Sequence, residues 1–218
     1  MYHRGALQRL SLLLTSAMDK RDRPRVGEQI EPGGRPKAPG RLALLQRFVN
    51  SYNHDFPHEW DRLGTRDKAQ AWLHQKRLVG PDLRVSAADA ARLRELREAI
   101  RALTIANQAG QPDPAAAGIV RRAARTARLR VVVDDAGRTV LEPDRLTVDG
   151  AVATLLGILH EAQLTGQWPR LKGCRQCGYA FFDRSKNRSA AWCAMSICGN
   201  RTKNRAYRRR HSSTTTDR

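Results

Sequence analysis

The stretch LKGCRQCGYAFFDRSKNRSAAWCAMSICGNRTK, residues 171–203, contains all four cysteines of this 218-residue chain. Cys174 and Cys177 are separated by two residues, Cys177 and Cys193 by fifteen, and Cys193 and Cys198 by four. The CRQCG turn is typical of a zinc knuckle, because it directs two sulfurs toward one point. Two close cysteine pairs supply the four ligands of tetrahedral zinc. The sequence therefore predicts one structural zinc ion, and a redox-active cysteine pair is the alternative.

Three aromatic residues lie between the cysteine pairs, namely Phe181, Phe182 and Trp192. We expect them to form the small core of the module, which is too short to fold without the metal. The alternative is that these rings stack on nucleic-acid bases.

The residues that follow the last cysteine are basic, and no acidic residue occurs before position 217. In a helix with about 100° per residue, four arginines fall within an arc of roughly 100°. These are Arg201, Arg205, Arg208 and Arg209. Such a face is suited to phosphates or to a nucleic-acid groove, and the alternative is a solvated tail without a specific partner. Further candidates for phosphate contacts are Lys172, Arg175, Arg184, Lys186 and Arg188.

The net charge is concentrated at the C-terminal end. The chain has 40 basic and 21 acidic residues, and residues 169–218 alone contain 13 and 2 of them. This excess indicates a polyanionic partner. The abundance of arginine suits phosphate recognition, although genome base composition would explain it equally well. No signal peptide or membrane span is evident, so we expect a cytoplasmic protein in which the cysteines stay reduced.

Composition and periodicity divide the chain into four parts. Residues 1–39 are expected to be a flexible leader, 40–168 a mainly helical domain, 169–211 the zinc finger and 212–218 a disordered tail. The predicted class is α+β and mainly α: a helical domain with a β-hairpin, then a treble-clef-like zinc module that ends in a basic helix. The predicted elements are helices from Leu42, after Thr65, from Ser86 to Gly110, from Asp113 to about Thr126 and from Asp149 to Leu164, with a hairpin at 129–142.

Five residues that can bind metals or protons crowd one segment: His54, Asp55, His58, Glu59 and Asp61. We expect a solvated loop there, because no third cluster lies at a fitting distance. The chain has neither a glycine-rich phosphate loop nor a nucleophile motif, so we do not expect an enzyme.

The stretch from Leu171 to Lys203 resembles the CGNR zinc finger, which takes its name from the four residues found here at 198–201. The preceding region resembles the ABATE domain, which normally precedes this finger in bacterial proteins. The markers are FVNS at 48–51, AWL at 71–73 and the apolar helix at 93–103, although Ser51 stands where threonine is expected.

This resemblance implies a bacterial, stress-linked transcriptional regulator whose finger binds DNA. Matched by position, the four cysteines would be zinc ligands, and Asn200, Arg201 and Lys203 would be candidate DNA contacts. A ligand of the N-terminal domain does not follow from it.

The leading hypothesis is a DNA-binding regulator. A zinc-finger adaptor for an acidic protein partner and an RNA-binding protein are the alternatives, because phosphates look alike to arginine. One finger covers a short site, so useful specificity requires dimerisation or further DNA contacts. Whether the chain forms a homodimer stays open at this point.

Overall fold

The computed structural model of the protein describes residues 35–55 and 57–212. The helices are α1 (Leu42–Val49), α2 (Arg66–Gln75), α3 (Ala87–Ala109), α4 (Pro114–Ala123), α5 (Val148–Leu164) and α6 (Asn200–Ser212). The strands are β1 (Leu129–Val133), β2 (Thr139–Pro143), β3 (Leu171–Gly173) and β4 (Ala180–Phe182), paired in two antiparallel hairpins. This confirms the predicted fold class. Most of the predicted leader and tail, residues 1–34 and 213–218, lies outside the described residues.

Helix ends follow the capping residues of the sequence. The Thr65 hydroxyl accepts a hydrogen bond from the amide of Lys68 at 3.3 Å and starts α2. Ser86 and Asp89 form a reciprocal capping box at the start of α3. That helix ends at Gly110, whose φ of +72° favours glycine. No helix among the described residues combines the length and the apolar character that a membrane crossing requires.

The main hydrophobic core lies between α1, α3 and α5, and the strands of the zinc module close it. Its most deeply buried members include Leu45, Phe48, Leu93, Ile100, Leu155, Leu171 and Ala180. Phe182 also belongs to this core, whereas Phe181 packs with the cysteines. The prediction of one separate core for both rings was therefore wrong, because successive residues of a strand point to opposite faces. The zinc module and the helical region share a core.

The segment before α1 is also packed. The Arg35 guanidinium lies over the Phe181 ring, 4.8 Å from its centre, and donates to the carbonyl oxygen of Cys193 at 2.9 Å. The amide of Ala38 donates to the buried side chain of Gln46 at 2.8 Å. The last residues of the predicted leader are thus fixed against the zinc module and α1.

A buried ion pair connects α3 to the segment that precedes α2. The Arg97 guanidinium contacts both carboxylate oxygens of Asp61, at 2.5 and 2.9 Å. Burial, the largest single influence, opposes ionisation of Asp61. The hydrogen bonds from Arg97 and the Leu63 amide, together with the charges of Arg97 and Arg94, outweigh it and hold the pKa of the carboxyl below its usual value. The prediction of a solvated loop was therefore wrong for Asp61, which is buried.

The β1–β2 hairpin lies on α5. Leu129 pairs with Pro143, Val131 with Leu141 and Val133 with Thr139. A methyl group added at Gly157 of α5 would come within 3.2 Å of the Leu129 side chain, so this end of the hairpin rests on the helix.

Candidate metal centre and basic helix

The first cysteine pair lies in the turn of the β3–β4 hairpin. The amide of Cys174 donates to the carbonyl oxygen of Tyr179, and the amide of Gly178 donates to that of Cys174, both at 2.9 Å. Gly178 has a φ of +69°, which the tight turn after Cys177 requires. The knuckle predicted from the CRQCG spacing is present.

The second pair comes from the other end of the module. Cys193 follows the long loop after β4, and Cys198 lies in a π-helical turn, Met195–Gly199, which leads directly into α6. The amide of Cys198 donates to the carbonyl oxygen of Ala194 at 3.0 Å. The last sulfur is thus fixed at the start of the basic helix.

The four sulfurs meet in one buried cluster. All of them lie within 4.8 Å of one another. The sulfurs of Cys177, Cys193 and Cys198 are separated by 3.6 to 3.7 Å. Tetrahedral zinc with a Zn–S distance of about 2.3 Å needs sulfurs roughly 3.8 Å apart. The site fits a zinc ion held by four thiolates, which would contribute folding energy to the module.

The crowded thiols shift one another's pKa in opposite directions. Hydrogen bonds from Cys177, Cys193 and Cys198 lower the pKa of Cys174, whereas the hydrogen bond to Cys174 is the largest cause that raises the pKa of Cys193 and Cys198. Four thiolates do not coexist at such distances without a cation to balance them. A divalent cation supplies that balance, as in structural zinc sites.

The basic helix α6 directly follows the turn that contains Cys198. The Thr202 hydroxyl donates to the carbonyl oxygen of Cys198 at 3.0 Å and lies 3.4 Å from the side-chain oxygen of Gln176. One face of α6 is thereby held against the knuckle. The candidate contact residues Asn200, Arg201, Lys203, Arg205 and Arg208 are exposed, and the side chain of Arg209 lies outside the described part of the chain.

One of these arginines contacts the helical region. Nη1 of Arg201 lies 3.1 Å from Oδ2 of Asp55, and both side chains are partly exposed to solvent. The Asp55 carboxylate thus neutralises one charge at the start of the basic helix.

The loop after β4 is built on a second buried ion pair. The Asp183 carboxylate accepts from Lys172 Nζ at 2.9 Å, from the amide of Ser185 at 2.9 Å and from the amide of Ala190 at 3.0 Å. Although burial opposes ionisation, the hydrogen bonds from Lys172 and Ser185 and the charge of Lys172 together keep the pKa of Asp183 below its usual value. The prediction of Lys172 as a phosphate contact was wrong, because its ammonium group is buried inside the module and paired with Asp183.

The rest of this loop faces solvent. Arg184, Lys186 and Arg188 are exposed, as is Arg175 of the knuckle. Arg188 has a φ of +50°, an uncommon conformation for a residue other than glycine, and its carbonyl oxygen accepts from Lys172. The loop therefore presents its cations from a fixed backbone.

The residues that join the module to the helices were missed by sequence reasoning. Gln46 of α1 and Asn50, the residue that caps α1, donate to the carbonyl oxygen of Ala180, at 3.2 and 2.8 Å. Arg101 of α3 donates to the carbonyl oxygen of Gly178 at 3.1 Å, beside the cysteine pair. A signal was present, because Arg97 and Arg101 lie four residues apart on the apolar stripe of α3, where an arginine needs a buried partner.

The histidine-rich segment, in its described residues, holds no cluster of the metal-binding kind. His54 pairs with Glu98 at 3.1 Å, and His58 lies 3.0 Å from the Tyr52 hydroxyl. Among residues 35–55 and 57–212, only the four cysteines bring their ligand atoms close enough together to share a metal ion.

Comparison with protein families gives two matches. Residues 40–168 match the ABATE family, described as "Putative stress-induced transcription regulator", and residues 170–211 match the CGNR zinc finger. Comparison with curated proteins gives no match. The finger and the four clustered sulfurs together support one zinc ion. The chain belongs to the ABATE family and carries a CGNR zinc finger after its helical region.

Proposed function

We propose that this protein is a DNA-binding transcription regulator in which the zinc centre fixes α6 for contact with DNA. The observation that carries the proposal is the direct continuation of the Cys198 turn into a helix with exposed Arg201, Arg205 and Arg208. A helix whose start is fixed by a metal presents its cations in one orientation, as groove-binding helices do.

The electrostatics support a polyanionic partner. Residues 169–218 carry eleven more basic than acidic groups. Four thiolates and one zinc ion together have a charge of about −2, so most of this positive excess remains when zinc is bound. Arginine binds phosphate with two donors, and each neutralised phosphate releases counterions from the duplex. The exposed loop cations Arg184, Lys186 and Arg188 add a second group of positive charges that is suited to contact with the phosphate backbone of DNA.

The test compares two pairs of arginine substitutions. Arg205→Gln/Arg208→Gln removes two charges from α6, and Arg121→Gln/Arg125→Gln removes two exposed charges from the end of the α4 region. Both pairs are titrated against duplex DNA of random sequence at several salt concentrations, before and after selection of preferred sequences. We expect the α6 pair to reduce the salt dependence by about two counterions and the control pair to leave it unchanged.

A third variant distinguishes the contribution of the zinc centre to DNA binding from that of the positive charge alone. Cys174→Ser keeps the basic residues but removes a ligand, so we expect loss of bound zinc and loss of sequence preference. Equal binding by all variants would contradict the proposal. Preference for single-stranded RNA over the duplex would favour the RNA-binding alternative, and salt-resistant capture of an acidic protein without DNA binding would favour the adaptor.

A further inference from the structure

The outer edge of β1 has backbone groups that point away from its partner strand. Asp144 donates to the carbonyl oxygen of Arg128 at 3.1 Å, and Asp134 donates to that of Arg138 at 2.9 Å. In an antiparallel ladder the paired residues alternate, so even-numbered residues of β1 face β2 and odd-numbered residues face outward. In the part of the chain that the structure describes, β1 pairs with β2 alone. The amides of Val131 and Val133 therefore have no strand partner among residues 35–55 and 57–212.

The side chains at this edge are apolar. Val131 and Val133 are 65% and 61% exposed, and Leu141 beside them on β2 is 37% exposed. The register places these three side chains on one face of the hairpin, where Leu129 rests on α5 and the valines extend beyond it. An edge strand with such side chains is what proteins normally cover or charge.

The two edges of the hairpin are not equivalent. β2 ends in Pro143, which has no amide hydrogen to donate to a further strand. It also lies close to α5, because a methyl group added at Gly150 would come within 3.3 Å of Pro143. A further strand is thus accommodated beside β1.

The charge of the hairpin is compatible with a second copy of this chain at the edge. The chain as a whole carries +19, so two copies repel each other over most of their surfaces. Residues 128–145 contain four basic and four acidic groups, and this hairpin segment is electrically neutral. Arg130 is already paired with Glu142 across the strands, at 3.7 Å. The hairpin is therefore a surface on which a second copy can approach without net repulsion.

We propose that two copies of this chain pair antiparallel through β1, with the two-fold axis at Val131. In this register Val131 lies opposite its own copy and Leu129 lies opposite Val133, so the outward amides and carbonyl groups exchange hydrogen bonds. Arg130 then lies opposite Val132. A register shifted to an axis at Arg130 would oppose two like charges, which destabilises a strand pair. The pairing produces a four-stranded sheet with a continuous apolar row, and it does not depend on DNA binding.

The test uses one lysine at the axis and one elsewhere. Val131→Lys places two ammonium groups against each other, whereas Leu164→Lys makes the same kind of change at an apolar side chain that is 75% exposed at the end of α5. Sedimentation equilibrium of the full zinc-loaded chain should give twice 24.5 kDa for wild type and Leu164→Lys. Val131→Lys should weaken self-association by at least about tenfold while keeping wild-type zinc content and circular dichroism.

Amide hydrogen exchange on the wild type gives an independent measurement. Protection of Val131 and Val133 should rise with protein concentration, since it depends on the second copy. A wild-type monomer at high concentration, or a Val131→Lys dimer, would overturn the proposal. So would protection that does not change with concentration, because another segment of the same chain, such as residues 1–34, would then occupy the edge.

Discussion

The side-chain amide of Asn50 pairs with the backbone of Ala180 as a neighbouring strand would. Nδ2 donates to the carbonyl oxygen of Ala180 and Oδ1 accepts from its amide, both at 2.8 Å. One residue at the end of α1 thereby satisfies both backbone groups of a residue in β4. The arrangement explains why asparagine stands between the core residue Val49 and Ser51, whose hydroxyl lies 3.3 Å from Arg97.

Removal of this amide should loosen the zinc module. Asn50→Ala leaves the amide of Ala180 without its acceptor, which costs about 1–3 kcal/mol when no water replaces it, whereas the carbonyl oxygen keeps its hydrogen bond from Gln46. We expect a lower melting temperature and faster transfer of zinc to a chelator. Gln75→Ala, at an exposed amide in the last turn of α2, should change neither. Unchanged zinc transfer in Asn50→Ala would show that the docking bonds do not support the site.

Loss of Asp55 should strengthen DNA binding. Asp55→Asn frees the Arg201 guanidinium from its carboxylate. Exposed ion pairs are worth roughly 0.2–1 kcal/mol, so we expect an affinity that is higher by about 1.4- to fivefold. The control is Asp67→Asn, which removes an exposed acidic charge from α2. Fluorescence anisotropy at constant salt measures both. Equal effects of the two variants would mean that total charge, not the contact with Arg201, sets the affinity.

The buried pair of Asp61 and Arg97 should make stability depend on pH. Asp61→Asn leaves the buried Arg97 guanidinium with Glu98, at 2.7 Å, as its remaining carboxylate partner. Breaking a buried pair typically costs about 3–5 kcal/mol, and we expect a cost at the lower end of that range at neutral pH. The pKa of Asp61 is lowered in the folded state. Its contribution is therefore complete above the unfolded pKa of about 3.9 and is lost as pH falls through the lower folded value. The gap between wild type and variant in urea unfolding should shrink in that window. A constant gap would contradict this account.

Two glycines should respond oppositely to alanine. A methyl group at Gly173 would lie 2.5 Å from the Ile105 side chain and 3.1 Å from its backbone nitrogen, so Gly173→Ala should push β3 away from α3. A methyl group at Gly118 in α4 meets nothing within 4 Å. Gly118→Ala should stabilise the protein by about 0.5–1 kcal/mol, because alanine favours the helix. Thermal unfolding separates the two, and a stabilised Gly173→Ala would mean that β3 can move without loss.

The parts of the fold governed by local chemistry could be predicted from the sequence. Caps such as Thr65 and Ser86 act over three residues, and the CRQCG turn brings two sulfurs together by its own geometry. The predicted ends of helices were less accurate where no glycine or proline stops the helix. For example, α4 ends at Ala123, whereas the prediction placed its end near Thr126.

Contacts between distant residues could not be predicted in this way. Phe182 and Phe181 are neighbours with similar side chains, and only the approach of α1 and α3 decides that one enters the main core. Lys172 is a basic residue beside a predicted phosphate-binding module, yet Asp183 eleven positions later holds it inside. Burial of a charge depends on a partner that charge patterns alone do not reveal.

In the proposed DNA-binding regulator, the common core of the finger and the helices would limit the geometry of an operator. Leu171 and Phe182 lie in the same core as Phe48, and Thr202 holds α6 to Cys198 and Gln176 of the module that carries these strands. In a β1-paired dimer the separation of the two α6 helices is then a constant of the fold. Half-sites would have to match it, since each added base pair rotates one of them by about 35° around the duplex. The affinity of such a dimer would therefore depend on the distance between the two half-sites as well as on their base sequence.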